Sequence, residues 1–230
     1  SDRIAQEALK KKYLALGMWD DLEVFYAESG KWDEFIRLLE SQESKETDDA
    51  AKVSLLMKTA QLWMTQNGKP DRAARAYEKV LSIDAAHLAA AESLIPIYAS
   101  ANNAKGLATA IEVKLQQATR QAEETGEGGE ERVELLREVA SLYETKLKDP
   151  DRAYERYLSA FERAPGDDRS AVDVERAAQT TGGWDALIRT YEKTVTKTES
   201  DGDVELSIGL RLRLGRVLLQ EVQRVDDALA

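Results

Sequence analysis

The chain has 230 residues, a formal net charge of −11, no cysteine and a single histidine, His87. Without cysteine there are no disulfides, thiol nucleophiles, iron–sulfur clusters or cysteine-based zinc sites. The acidic balance argues against a nucleic-acid partner, which draws on clustered Lys and Arg, and no apolar run approaches the ~20 residues that insert directly into a bilayer.

The first segment, "SDRIAQEALKKKY", is amphipathic and lacks the apolar block and cleavage site of a signal peptide. It opens on Ser1 without an initiator methionine, as a trimmed start would. Lys10 to Lys12 form the one basic triplet, which reads as a solvated helix face. In "AAKVSLLMKTAQLWMTQ" the residues Val53, Leu56, Ala60 and Trp63 recur at three- and four-residue steps and share one helix face. "HLAAAESLIPIYASA" carries Pro96, which is expected to mark the real start of that helix or, the favoured reading, to kink it at a cost of up to ~3 kcal/mol. "EERVELLREVASLYETKL" repeats the earlier face with Val133, Leu136, Ala140 and Tyr143. Asp149 followed by Pro150 reads as a helix start, with an acceptor for a free first-turn amide and a residue that has no amide to satisfy. Frequent glycines and prolines cut the whole chain into about thirteen helices.

The helices repeat. Ala60, Ala140 and Gly215 correspond at spacings of 80 and 75 residues, as do Ala73, Ala153 and Ala228. "GKWDEFIRLLE" at 30–40 returns as "GGWDALIRTYE" at 182–192, and a weaker copy is read at "KGLATAIE", with Leu107 matched to Trp32 and Trp184. A unit of about 76 residues then holds four helices, or two hairpins, which is the period of a solenoid. Acidic stretches at 40–49, 123–131 and 198–205 read as solvated loops between hairpins. "DGDVE" in the last of them lacks the twelve-residue ligand register of an EF-hand. The terminal "RVDDALA" matches the start of a helix that runs on in both earlier copies, so a longer array without a C-terminal cap is expected.

At these positions the chain resembles the tetratricopeptide repeat (TPR) family. Leu136, Val139, Ala140, Tyr143, Ala153, Tyr157, Ala160 and Pro165 carry the strongest match. Leu56, Ala60, Trp63, Ala73, Tyr77 and Val80 carry a second, with Ala85 in place of the terminal proline. Leu214, Gly215, Leu218 and Ala228 carry a third, in which Arg211 stands where a large apolar residue is expected. Small residues let helices approach and larger ones fill the groove beside them. The hairpins bearing the tryptophan phrase fit less closely, as degenerate TPR or as HEAT-like or other α-solenoid repeats, and alternation of this kind is similar to long bacterial TPR proteins. The resemblance implies an all-α fold, a right-handed α-α superhelix of antiparallel helical hairpins running through residues 1–230.

No catalytic, cofactor or metal site is expected. His87 has no Ser, Cys or ligand cluster near it in sequence and reads as a surface or capping residue. The paired acids Asp20/Asp21, Asp48/Asp49, Asp167/Asp168 and Asp226/Asp227 flank helices, where capping explains them. Trp19, Trp32 and Trp184 follow turn glycines in register and read as hairpin packing rather than as a partner's hot spot. The resemblance further implies a concave surface lined by the first helix of each hairpin. On the three clearer hairpins it would carry Met57, Gln61 and Met64, then Arg137, Ser141 and Glu144, then Leu212, Arg216 and Leu219, each triplet on one helix face. The Lys/Asn set by which some TPR proteins clamp a C-terminal carboxylate is not matched.

The expected role is therefore a soluble scaffold, cytoplasmic or periplasmic, that binds a protein or peptide and organises an assembly. A structural spacer within a larger envelope- or motility-associated protein is the alternative. A non-catalytic part of an enzyme ranks third.

Overall fold

The computed structural model describes residues 2–221, which form two compact units divided after Ala101. The first contains α1 (Asp2–Ala15), α2 (Trp19–Ser29), α3 (Trp32–Glu43), α4 (Asp49–Thr65), α5 (Pro70–Ile83) and α6 (Leu88–Ser100). The second contains α7 (Ala104–Thr125), α8 (Gly129–Leu142) with a π-helical last turn (Tyr143–Leu147), α9 (Pro150–Arg163), α10 (Asp168–Thr181), α11 (Trp184–Ser200) and α12 (Val204–Gln220). Within each unit every helix packs on the next in chain order. No strand occurs among the described residues, so the fold is all-α and made of consecutive helical hairpins. The expected thirteenth helix, with Ala228 and Asp226/Asp227, lies outside the described residues.

The small residues sit where the resemblance needs them. Ala60, Ala140 and Ala160 are wholly buried, as is Ala73. Each lacks a side chain long enough to hold the neighbouring helix off. Trp63 and Tyr143, three residues on from Ala60 and Ala140, are also buried and fill the adjoining groove. Pro150 begins α9 with Asp149 accepting a hydrogen bond from the Arg152 amide at 3.1 Å, as read from sequence. Pro96 lies inside α6, on its exposed side, and the helix runs through it to Ser100.

Two readings are corrected. The acidic loops are shorter than expected: α3 runs on to Glu43, α7 to Thr125 and α11 to Ser200. Asp48 and Asp203 leave the loops to cap the next helices, accepting from the Ala51 and Leu206 amides. The third copy of the tryptophan phrase begins at Asn102, not at Lys105. Gly30, Asn102 and Gly182 each adopt a left-handed backbone two residues before a helix starts, at φ of 64°, 51° and 74°. Ala104 therefore stands in the place of Trp32 and Trp184, and Leu107 in the place of Phe35 and Leu187. Buried residues agree with this register: Ala108, Ile111, Leu115 and Ala118 of α7 match Ile188, Tyr191, Val195 and Thr198 of α11.

Candidate functional site

Ion pairs decide how much of the expected surface is open. In residues 102–221 the triplet Arg137, Ser141 and Glu144 does share one concavity, of about 660 Å³, together with Tyr157, Asp173 and Arg176. The charges of Arg137, Glu144, Asp173 and Arg176 are already engaged. Arg137 Nε and Nη2 donate to Asp173 Oδ2 at 3.0 and 2.8 Å. Glu144 accepts from Arg176 and, at 3.1 Å, from the Tyr157 hydroxyl. Arg169 joins Glu134 at 2.8 Å, and Arg213 and Arg216 on α12 both bind Glu175 on α10. The pairs thus tie α8 to α10 and α10 to α12. Arg137 and Asp173 keep only 18% and 21% side-chain exposure, and a partner recruiting either must first break the pair.

In residues 1–101 the same positions hold neutral side chains. A spacing of 80 residues sets Met57 against Arg137, Met64 against Glu144, Ser93 against Asp173 and Pro96 against Arg176. Both members of each ion pair have changed. What remains is a concavity of about 590 Å³ whose walls include Met57, Gln61, Ser93, Trp19 and Tyr77. Tyr157 spends its hydroxyl on Glu144, whereas Tyr77, its counterpart, has Met64 at the matching position. At the mouth, Lys58 donates to Asp20 at 2.7 Å and lies 2.7 Å from Glu23. Burial works against the Lys58 charge, but those two hydrogen bonds outweigh it and its pKa is raised. The Lys58 hydrogen bond holds Asp20 below the usual carboxylate range. Two carboxylates thus meet one ammonium, and Asp21 also lies on the wall.

The nine residues expected from sequence therefore separate. Met57 and Gln61 meet in the open concavity, while Met64, 39% exposed, is not on its wall. Arg137, Ser141 and Glu144 meet in the ion-paired one. Leu212 and Leu219 stand out from α12 at 71% and 45% exposure, and Arg216 between them is held by Glu175. Sequence reasoning read Trp19 as hairpin packing and passed over Ser93 and Asp173. The 80-residue spacing was the signal for the last two, because it sets the two members of one contact side by side. Arg211, the departure from the family pattern, lies exposed with Nε 2.8 Å from Glu199 on α11.

The histidine is a cap: His87 Nδ1 accepts from the Ala90 amide at 3.2 Å, as Asp167, its counterpart 80 residues on, accepts from the Ser170 amide. Among the described residues no group of three or more His, Cys, Asp or Glu side chains is placed to hold a metal ion, and no helix is long and apolar enough to cross a membrane.

Comparison with protein-family models gives no match, and comparison with curated proteins gives no relative. Among solved structures the chain is similar to a MamA structure, at 17% identity and a TM-score of 0.36 over 77% of this chain and 95% of that one. It is also similar to a kinesin light chain with nearly identical TPR-like repeats from Podosopora anserina, at 18% identity and 0.39 over 92% and 97%. PilF of Pseudomonas aeruginosa matches at 13% identity and 0.32 over 98% and 100%. Superpositions this loose add no argument about a site. The chain's own packing carries the description: an all-α array of hairpins with TPR-like small and large positions.

Proposed function

We propose that this chain is a protein-binding scaffold whose docking groove lies in residues 1–101, on the face of α2, α4 and α6. The observation that carries the reading is the loss of both members of two ion pairs. Met57 and Ser93 line the groove where Arg137 and Asp173 pair in the second unit, and Met64 and Pro96, off that wall, replace Glu144 and Arg176. Methionine adapts its shape to different apolar surfaces, and the Tyr77 ring and Trp19 add large amphipathic contacts of the kind that dominate interfaces. Carboxylate excess at the mouth favours a cationic neighbour. The partner segment is accordingly one that presents an apolar side chain beside a basic residue.

The residues beyond Ala101 then act as a framework, with the facing charges of their groove engaged in ion pairs. A spacer without a specific partner is the second reading, and the same ion-pair ladder from α8 through α10 to α12 favours it. Affinity capture from native lysate separates the two. The double substitution M57R/S93D installs the second unit's ion pair in the first. It is expected to reduce recovery of a specific partner by about tenfold or more, the loss of one or more hot-spot contacts, with the helical content unchanged. A specific partner recovered equally well by the double variant would reject the groove, and no specific partner with either chain would favour the spacer.

A further inference from the structure

The second unit holds two arginines that its ion pairs leave out. Arg132 Nε on α8 is buried without a hydrogen-bond partner, the one such side-chain atom among the described residues. Burial and the neighbouring Arg163 charge both lower its pKa, and Glu123 on α7 offsets them only in part. Arg163 on α9 spends Nη1 within its own helix, on the Ser159 carbonyl 3.1 Å away. Neither arginine makes an ion pair among the described residues. Two like charges are thus held together beside a single carboxylate, an arrangement that an added anion would relieve.

A place for that anion adjoins them. Gln116 and Thr119 on α7, Leu136 on α8, and Ser159 and Arg163 on α9 line a cavity of about 260 Å³. Arg132 lies one helical turn before Leu136 on the same face of α8, and so stands at the end that Arg163 marks. Towards the other end Arg156 is already bound to Glu112 at 2.8 Å. Residues 1–101 have no counterpart of the arginine pair. Lys52 and Ile83 stand 80 residues before Arg132 and Arg163, and α3 ends at Glu43, short of any match to Thr119.

We infer that this end of the cavity is a receptor for one carboxylate side chain of a partner protein, held between the Arg132 and Arg163 guanidiniums. Two cations less Glu123 leave one positive charge, which suits a carboxylate better than the nearly dianionic phosphate of a phosphorylated residue. A guanidinium fork matches the two oxygens of a carboxylate, and the Gln116 amide and Thr119 hydroxyl add uncharged donors on the cavity wall. The acidic turn before α8 does not fill the place. Glu131 is engaged by Lys114 at 2.8 Å, and Glu124, Glu127 and Glu130 are exposed, where water and salt screen them. Arg132 lies half a helical turn around α8 from Ser141, so the inference stands or falls apart from the proposed groove.

The test uses the full chain labelled for NMR, with the Arg132 Nε–H as reporter, assigned by its loss in Arg132→Lys. The probes are inorganic phosphate and two acetylated, amidated pentapeptides, Gly-Gly-Glu-Gly-Gly and its Gln counterpart. The glutamate peptide should shift the Arg132 signal saturably, with an affinity about tenfold or more above that of the glutamine peptide, the difference a charge-assisted hydrogen bond makes. Arg163→Gln should weaken the glutamate peptide by about tenfold or more, with the helical content unchanged. Glu123→Gln should strengthen it by about twofold or more, because a competing carboxylate is removed. A purely structural role for the arginines would not give that opposite sign. Equal binding of the glutamine peptide, or tighter binding of phosphate than of the glutamate peptide, would overturn the inference. A response that survives Arg163→Gln, or no response at all, would overturn it too.

Discussion

Gly183 is fixed by a neighbour rather than by its own backbone. A Cβ added there would lie 2.6 Å from the Tyr154 ring, whose hydroxyl donates to the Gly183 carbonyl at 2.6 Å. Its counterparts in the other copies of the phrase, Lys31 and Asn103, carry side chains at the same turn position. The glycine is therefore a requirement of Tyr154. Gly183→Ala should lower stability by about 1–3 kcal/mol, the usual penalty for overpacking. Adding Tyr154→Ala should recover part of that loss. A denaturant midpoint for each variant checks this, and additive losses would contradict it. Tyr191 makes the same point about polar groups in a core. It is wholly buried yet donates to Glu175 at 2.6 Å, and burial together with that carboxylate pushes its pKa well up, so it stays neutral and bound.

One turn device starts most of these helices: a left-handed residue, one linker residue, then the first helical position. It occurs before α2, α3, α5, α7, α9, α11 and α12. Glycine fills it except at Asn102 and Lys148. Lys148, at φ 56°, has neither glycine's freedom nor asparagine's tolerance of that region. Lys148→Gly should therefore raise stability by about 0.5–1 kcal/mol, the strain relieved less the entropy glycine adds to the unfolded chain. Thermal melts compare the two, and a lower melting temperature for the glycine variant would contradict it. The device also explains what was legible. Helices and hairpins could be read because apolar residues recur at helical steps and Gly or Pro punctuates them. The third copy of the phrase was placed three residues late because Asn102 does the work of a glycine and Ala104 stands for tryptophan. The π-helical turn at Tyr143–Leu147 was not legible, since the choice between bonding four or five residues back leaves no mark on residue type.

Across the chain, one core pattern supports two different surfaces. Residues that let helices pack are shared between the units, as Ala60 with Ala140 and Ala73 with Ala153. Residues that line the grooves are not, as Met57 with Arg137 and Ser93 with Asp173. The sequence showed which helix face would line a groove, because the 3.6-residue period separates it from the core face. It did not show in which unit that face was ion-paired, because an ion pair joins side chains 36 residues apart on different helices, as Arg137 and Asp173 do. The central claim is that the open groove docks a partner and the ion-paired one does not. Gln61 and Ser141 occupy equivalent, exposed positions in the two grooves, so a photo-reactive phenylalanine analogue placed at each in turn tests it directly. Irradiation in native lysate should give a discrete adduct from position 61 and none from position 141. Adducts from position 141 alone, or from neither, would contradict the account.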